Sequence, residues 1–248
     1  MHVSGETTRR GVLGLGVAVG VGSLVACGSD TKSASTPVIG AAAVVAKSEP
    51  KVTNPDEAVA RLKTGAARFA SGSVSRPDQS VPYRLSLATG QHPFAAVLSC
   101  SDSRVPPEIV FDQGLGDLFV SRTAGQVVGD AVLGSLQYGV AELKIPLLVV
   151  LGHEKCGAVK ATVEAVEKKS APMGNSIDAI VTAIKPAVEQ AETDKATDMI
   201  DASVHNNVVN IVAALGKNAL LGAAVSSGAL RIVGARYDLD AGTVAFLT

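Results

Sequence analysis

The sequence predicts an α/β fold: a mostly parallel sheet of about four strands plus an antiparallel edge strand, flanked by helices. Three observations carry this. Short runs rich in Val, Leu and Ala recur at 95–99, 118–121, 146–151 and 230–234, the composition of strands buried on both faces. Helical spacing fills the intervals between them, and strands joined through helices pair in parallel. After the fourth run, Asp240-Ala241-Gly242-Thr243 makes a turn into a last strand, 244–247, and the hairpin spacing makes that strand antiparallel.

The elements follow in chain order. Thr8-Arg9-Arg10-Gly11-Val12-Leu13 is a twin-arginine pattern, and Leu24-Val25-Ala26-Cys27-Gly28 resembles a lipoprotein cleavage box. The apolar run between them, about 16 residues, is short for a membrane-spanning helix. Residues 1–26 are therefore expected to be an export signal, with Cys27 lipidated and the chain tethered outside the cytoplasm by a lipid anchor. Residues 27–53, rich in Ser, Thr, Ala and Lys with Pro37 and Pro50, are expected to be a flexible tether. Asn54-Pro55-Asp56-Glu57 opens a helix with a cap, a first-position proline and acids in the first turn. Ala58, Leu62, Ala66 and Phe69 give it one apolar face, and Ser71-Gly72 ends it. A polar loop over 73–82 precedes a short helix over 83–89. Helical spacing then covers 129–143, 157–168, 175–192, 201–215 and 218–226. No internal repeat is present, so 54–248 reads as one domain.

Lys and Arg (22) nearly balance Asp and Glu (23) for a net charge of −1, and the chain lacks Trp. A near-neutral surface with few aromatic rings gives no footprint for nucleic acid.

Two polar motifs interrupt the strand pattern, each where an apolar run ends: Cys100-Ser101-Asp102-Ser103-Arg104 and His153-Glu154-Lys155-Cys156. In an open α/β sheet, strand ends of this kind meet in one crevice. Two sulfurs and an imidazole form the Cys2His set of a catalytic zinc, with a fourth position left for water. Gly152 and Gly157 bracket the His-x-x-Cys step and allow a tight backbone path. No fourth Cys or His has ligand spacing; His92 and His205 are isolated. Competing readings are a Cys100–Cys156 disulfide in an exported protein, a thiol redox pair, which would favour an absent C-x-x-C, and a non-catalytic zinc-binding lipoprotein.

The chain resembles a β-class carbonic anhydrase. The likeness rests on Ala96 to Pro106, Gly114 to Ala124, Gly152 to Ala158, and the Leu-x-Ile-x-Gly-Ala-x-Tyr-Asp-Leu-Asp-x-Gly-x-Val stretch ending at Val244. It extends from about residue 54 to the C-terminus. The resemblance implies reversible hydration of carbon dioxide to bicarbonate and a proton, with one Zn2+ per chain on Cys100, His153 and Cys156. It implies that Asp102, paired with Arg104, orients the reacting water in an open form, and that Asp102 becomes the fourth metal ligand in a closed form. Gln91, nine residues before Cys100, matches the family's substrate-binding glutamine. Phe119 and Tyr138 match pocket-wall positions, and Gly157 matches a glycine whose N–H faces substrate. A homodimer or homotetramer is implied, with the pocket at the subunit seam and the N-terminal helices on the neighbour. Where the family often has Arg-Asn-x-x-Asn, this chain reads Arg122-Thr123-Ala124-Gly125-Gln126. That departure leaves hydrolysis of carbonyl sulfide or carbon disulfide on the same scaffold as an alternative.

Overall fold

The computed structural model describes residues 51–247; the expected signal over 1–26, Cys27 and the tether up to residue 50 lie outside the described residues. Five strands form one sheet in the order β2-β1-β3-β4-β5. They are β1 (Ala95–Cys100), β2 (Leu118–Thr123), β3 (Leu147–His153), β4 (Arg231–Tyr237) and β5 (Val244–Leu247). β1 lies parallel to β2 and β3, β3 lies parallel to β4, and only β5 is antiparallel to its neighbour. The expected fold class is the observed one.

Alternation along the central strands divides the core. Ala95, Val97, Leu147, Val149 and Leu151 face α1 (Pro55–Ala70) and the short α3 (Pro107–Val110). Ala96, Leu98, Leu148 and Val150 face α4 (Asp130–Ala141), α7 (Met199–Lys217) and α8 (Ala219–Ser226). Successive side chains point to opposite faces, so β1 and β3 need apolar residues at nearly every position, and both are buried throughout. α5 (Gly157–Glu167) and α6 (Ile177–Thr193) pack a third cluster around Cys100 and Cys156.

α1 begins as its sequence dictates: Asn54 accepts a 3.0 Å bond from the Glu57 amide, and Pro55 is its first residue. Its apolar face, Ala58, Leu62 and Ala66, is buried in this chain's own core. Gly65 allows the close approach: a Cβ there would lie 1.8 Å from the Phe111 carbonyl oxygen. The helix expected over 83–89 is α2 (Val81–Ser86) followed by a 3-10 turn, Leu87–Thr89. β1, β2, β3 and β4 each run one to three residues past the apolar run that marks them, because ladder pairing continues into polar residues at their C-terminal ends.

Candidate metal centre

Cys100 is the last residue of β1 and His153 the last of β3, adjacent strands in the sheet. Beyond His153 the chain turns through Lys155, which takes a left-handed φ of 51°, and reaches Cys156, the N-cap of α5. The turn thus uses a lysine where glycine freedom was expected. Gly152 has a different reason for lacking a side chain: a Cβ there would meet Val208 Cγ2 at 2.5 Å. Gly157 opens α5 and is exposed, with no atom within 4 Å of where its Cβ would project.

Cys100, His153 and Cys156 are all buried, and one ligand atom from each lies within 4.8 Å of the other two. The two sulfurs are 4.0 Å apart, against about 3.8 Å for a tetrahedral pair with ~2.3 Å zinc–sulfur bonds. His153 Nδ1 is 2.7 Å from the Glu154 carbonyl oxygen. A carbonyl only accepts, so Nδ1 carries the proton and Nε2 presents its lone pair. That Nε2 is buried without a hydrogen-bond partner, the arrangement a metal ligand requires.

The three groups act on one another's protonation. The Cys100 thiol is driven well below its ordinary range, first by the hydrogen bond from Cys156 against the opposing effect of burial, then by His153 and by the Gly125 amide 3.3 Å away. Cys156 is driven up by the same sulfur–sulfur bond and by burial. Burial opposes charge on His153, but the Cys100 sulfur, the Glu154 carbonyl and Asp102 together raise its pKa. Two buried sulfurs 4.0 Å apart, beside a ring nitrogen with no hydrogen-bond partner, suit a divalent cation.

Asp102 and Arg104 form a fork at the edge of this cluster. Arg104 Nε and Nη2 donate to the two carboxylate oxygens at 2.9 and 2.7 Å, and the Arg104 amide adds a third bond of 3.0 Å. These bonds, led by the guanidinium, hold Asp102 far below the usual carboxylate range. Asp102 Oδ2 is 3.8 Å from His153 Nε2, so the carboxylate borders the ligand atoms while committed to Arg104.

Gln91, Phe119 and Tyr138 do not join this cluster within one chain. Gln91 precedes β1, so the whole strand separates it from Cys100; it lines a cavity of about 930 Å³ with Arg61, Tyr83 and Asp117. Phe119 pairs with Ala96 at the start of β2, and its ring centroid is 6.3 Å from that of the exposed Tyr138. All three belong to the opposite end of the sheet. His92 and His205 are exposed and apart from the ligands.

The support beneath Cys100 comes from residues read in the sequence only as a departure from the family pattern. Arg122 bonds the Cys100 and Asp102 carbonyls, and Gly125 bonds the Cys100 sulfur. Arg122, Thr123 and Ala124 are half-buried, and Gly125 and Gln126 are buried. Glu154, Asp238 and Asp240 also converge, but Arg236 pairs with Glu154 and Lys155 with Asp240.

Comparison with known proteins agrees with this geometry. The carbonic anhydrase family model matches residues 95–244, a span that holds both ligand strands. The chain is 43% identical over 193 residues to carbonic anhydrase 2 of Mycobacterium tuberculosis, covering 77% of this chain and 91% of that one. It is 43% identical over 195 residues to the carbonic anhydrase of Mycolicibacterium smegmatis, covering 77% and 93%. Among solved structures, the β-carbonic anhydrase of Coccomyxa superposes with a TM-score of 0.60 at 26% identity, covering 79% of this chain and 87% of that one. A matching family model across most of the described chain, close mycobacterial relatives and a shared fold leave one assignment: this chain is an enzyme of the β-class carbonic anhydrase family.

Proposed function

We propose that the chain catalyses the reversible hydration of carbon dioxide to bicarbonate and a proton, with one zinc held by Cys100, His153 and Cys156. The observation that carries this reading is the buried, unpartnered His153 Nε2 within reach of two sulfurs. A zinc held there supplies a Lewis acid that makes water nucleophilic near neutral pH. Asp102 stays ionised and accepts a hydrogen bond from the reacting water; Arg104 keeps the carboxylate plane fixed so that the acceptor points one way. The open space beside Gly157, at the start of α5, suits a small oxyanion product. Gln91, Phe119 and Tyr138 complete the pocket from a second copy of the chain, because their own strand ends face away from their own ligands. On this reading 54–248 is the catalytic domain of a homodimer or homotetramer, 27–53 its tether and 1–26 the export signal, with Cys27 lipidated at the membrane.

The test is stopped-flow carbon dioxide hydration with zinc analysis on the parent, Cys100→Ser and His153→Gln. The parent carries one zinc and hydrates; each variant loses zinc and falls below about 1% of parental activity. Hydration retained by a zinc-free variant contradicts the proposal.

A further inference from the structure

Arg122 has an unusual use for a guanidinium. It belongs to β2, paired with Ser99 of β1, and its side chain reaches past the strand end. Nε donates to the Cys100 carbonyl at 2.9 Å and Nη2 to the Asp102 carbonyl at 2.5 Å. Among the described residues no ion pair joins it to a carboxylate; its bonds go to neutral main-chain oxygens. The next β2 residue, Thr123, accepts from the Ser101 amide at 3.0 Å. That bond is the last rung of the β1–β2 ladder, which pairs Cys100 with Thr123; past it, at the Asp102 carbonyl, the Arg122 guanidinium holds the chain where ladder bonds have ended.

The Cys100–Asp102 peptides carry both a metal ligand and the carboxylate beside it. With the Cys100 and Asp102 carbonyls fixed, the Asp102 backbone cannot swing toward the ligand cluster. Side-chain rotation remains, and that breaks the three bonds from Arg104. We propose that Arg122 is a positioning residue: by clamping the Cys100 and Asp102 carbonyls it keeps Asp102 on Arg104 and the fourth metal position open. This rests on the zinc-hydratase reading above. A planar fork with separate N–H groups can hold two carbonyls at once; an ammonium cannot reproduce that geometry. Arg122→Lys therefore keeps the charge and removes the clamp.

The experiment uses cobalt(II)-substituted parent, Arg122→Lys, Asp102→Ala and the double variant, with metal content measured. Each is titrated with thiocyanate, followed by the visible cobalt spectrum, and carbon dioxide hydration is measured in parallel on the zinc forms. The proposal expects Arg122→Lys to retain one metal per chain, to bind thiocyanate about tenfold more weakly because its open fraction is reduced, and to lose kcat/KM in proportion. It expects the double variant to bind thiocyanate within about threefold of Asp102→Ala, since no carboxylate is left to compete. Parental thiocyanate affinity in Arg122→Lys overturns the proposal. So does weak binding or metal loss that Asp102→Ala does not rescue, which would make Arg122 a structural support only. A parent chain that neither takes up metal nor hydrates carbon dioxide overturns the functional reading as well.

Discussion

Asp102 and Arg104 stand two residues apart in the turn after β1, and that spacing lets one side chain hold the other through a planar fork. Neutralising either partner should cost activity while leaving metal in place. Asp102→Asn and Arg104→Ala are each expected to retain one zinc and lose at least about tenfold in kcat/KM, a loss of ~1.4 kcal/mol of transition-state stabilisation. Because the folded pKa of Asp102 is depressed, its ionised, Arg104-bound form persists above the unfolded value and is lost only as pH falls through the folded one. Arg104→Ala removes the main cause, so the acid limb of a pH profile should move upward in that variant; an unmoved limb would show that Asp102 does not report there. At this scale the sequence speaks clearly for some residues and not for others. Cys100, His153 and Cys156 are legible because each stands in a polar motif at the end of an apolar run. Arg122 and Gly125 are not, because their contacts depend on the β1–β2 register, which pairs Ser99 with Arg122.

At the scale of elements, the site depends on how β1 leaves the sheet and returns through α3 to β2. Asp112, just past α3, anchors that return. Its carboxylate accepts from Arg68 at 2.5 Å, from the Ser75 amide and hydroxyl at 2.9 and 3.0 Å, and from the Arg76 amide at 2.9 Å. Burial raises its pKa, but the Ser75, Arg68 and Arg76 donors outweigh burial and leave it depressed. Asp112→Asn should lower unfolding free energy by roughly 2–4 kcal/mol, since a nearly buried charge-assisted network is broken. The sign for acid follows: the contribution of Asp112 is complete above the unfolded carboxylate value near ~4 and disappears as pH drops through its lower folded value. Urea midpoints should therefore fall more steeply between about pH 5 and pH 2 in the parent than in Asp112→Asn; parallel slopes would contradict this. The strands and long helices are readable from period and caps, as Asn54-Pro55 shows. α3 spans four residues, opens on Pro107 after Pro106, and is too short to display a period. The strand ends also exceed their apolar runs, because ladder bonding does not need apolar side chains.

Across the whole molecule, the ligand cluster lies at one end of the sheet, and Gln91, Phe119 and Tyr138 lie at the other. Sequence spacing measures distance along the chain, so nine residues from Gln91 to Cys100 look close although they include all of β1. A symmetric pairing of two copies resolves the separation if each copy's far end meets the other's ligands. Subunit complementation tests this. Gln91→Ala and Cys100→Ser homo-oligomers should each be weak, whereas a purified hetero-oligomer restores one intact pocket of two and about half the parental rate. Activity no greater than the parents' average would place Gln91 outside the partner's pocket. Among the described residues no single helix is long and apolar enough to cross a membrane; α7, the longest, packs its apolar face on the sheet instead.

The proposed chemistry depends on an ion between two cysteines and a histidine, and zinc K-edge X-ray absorption on the purified full chain is its sharpest test. The expected spectrum fits two sulfurs at ~2.3 Å, one imidazole nitrogen at ~2.0 Å and one light oxygen atom. Zinc-free protein with Cys100 and Cys156 joined at the ~2.05 Å of a disulfide, or a shell lacking sulfur, would contradict it.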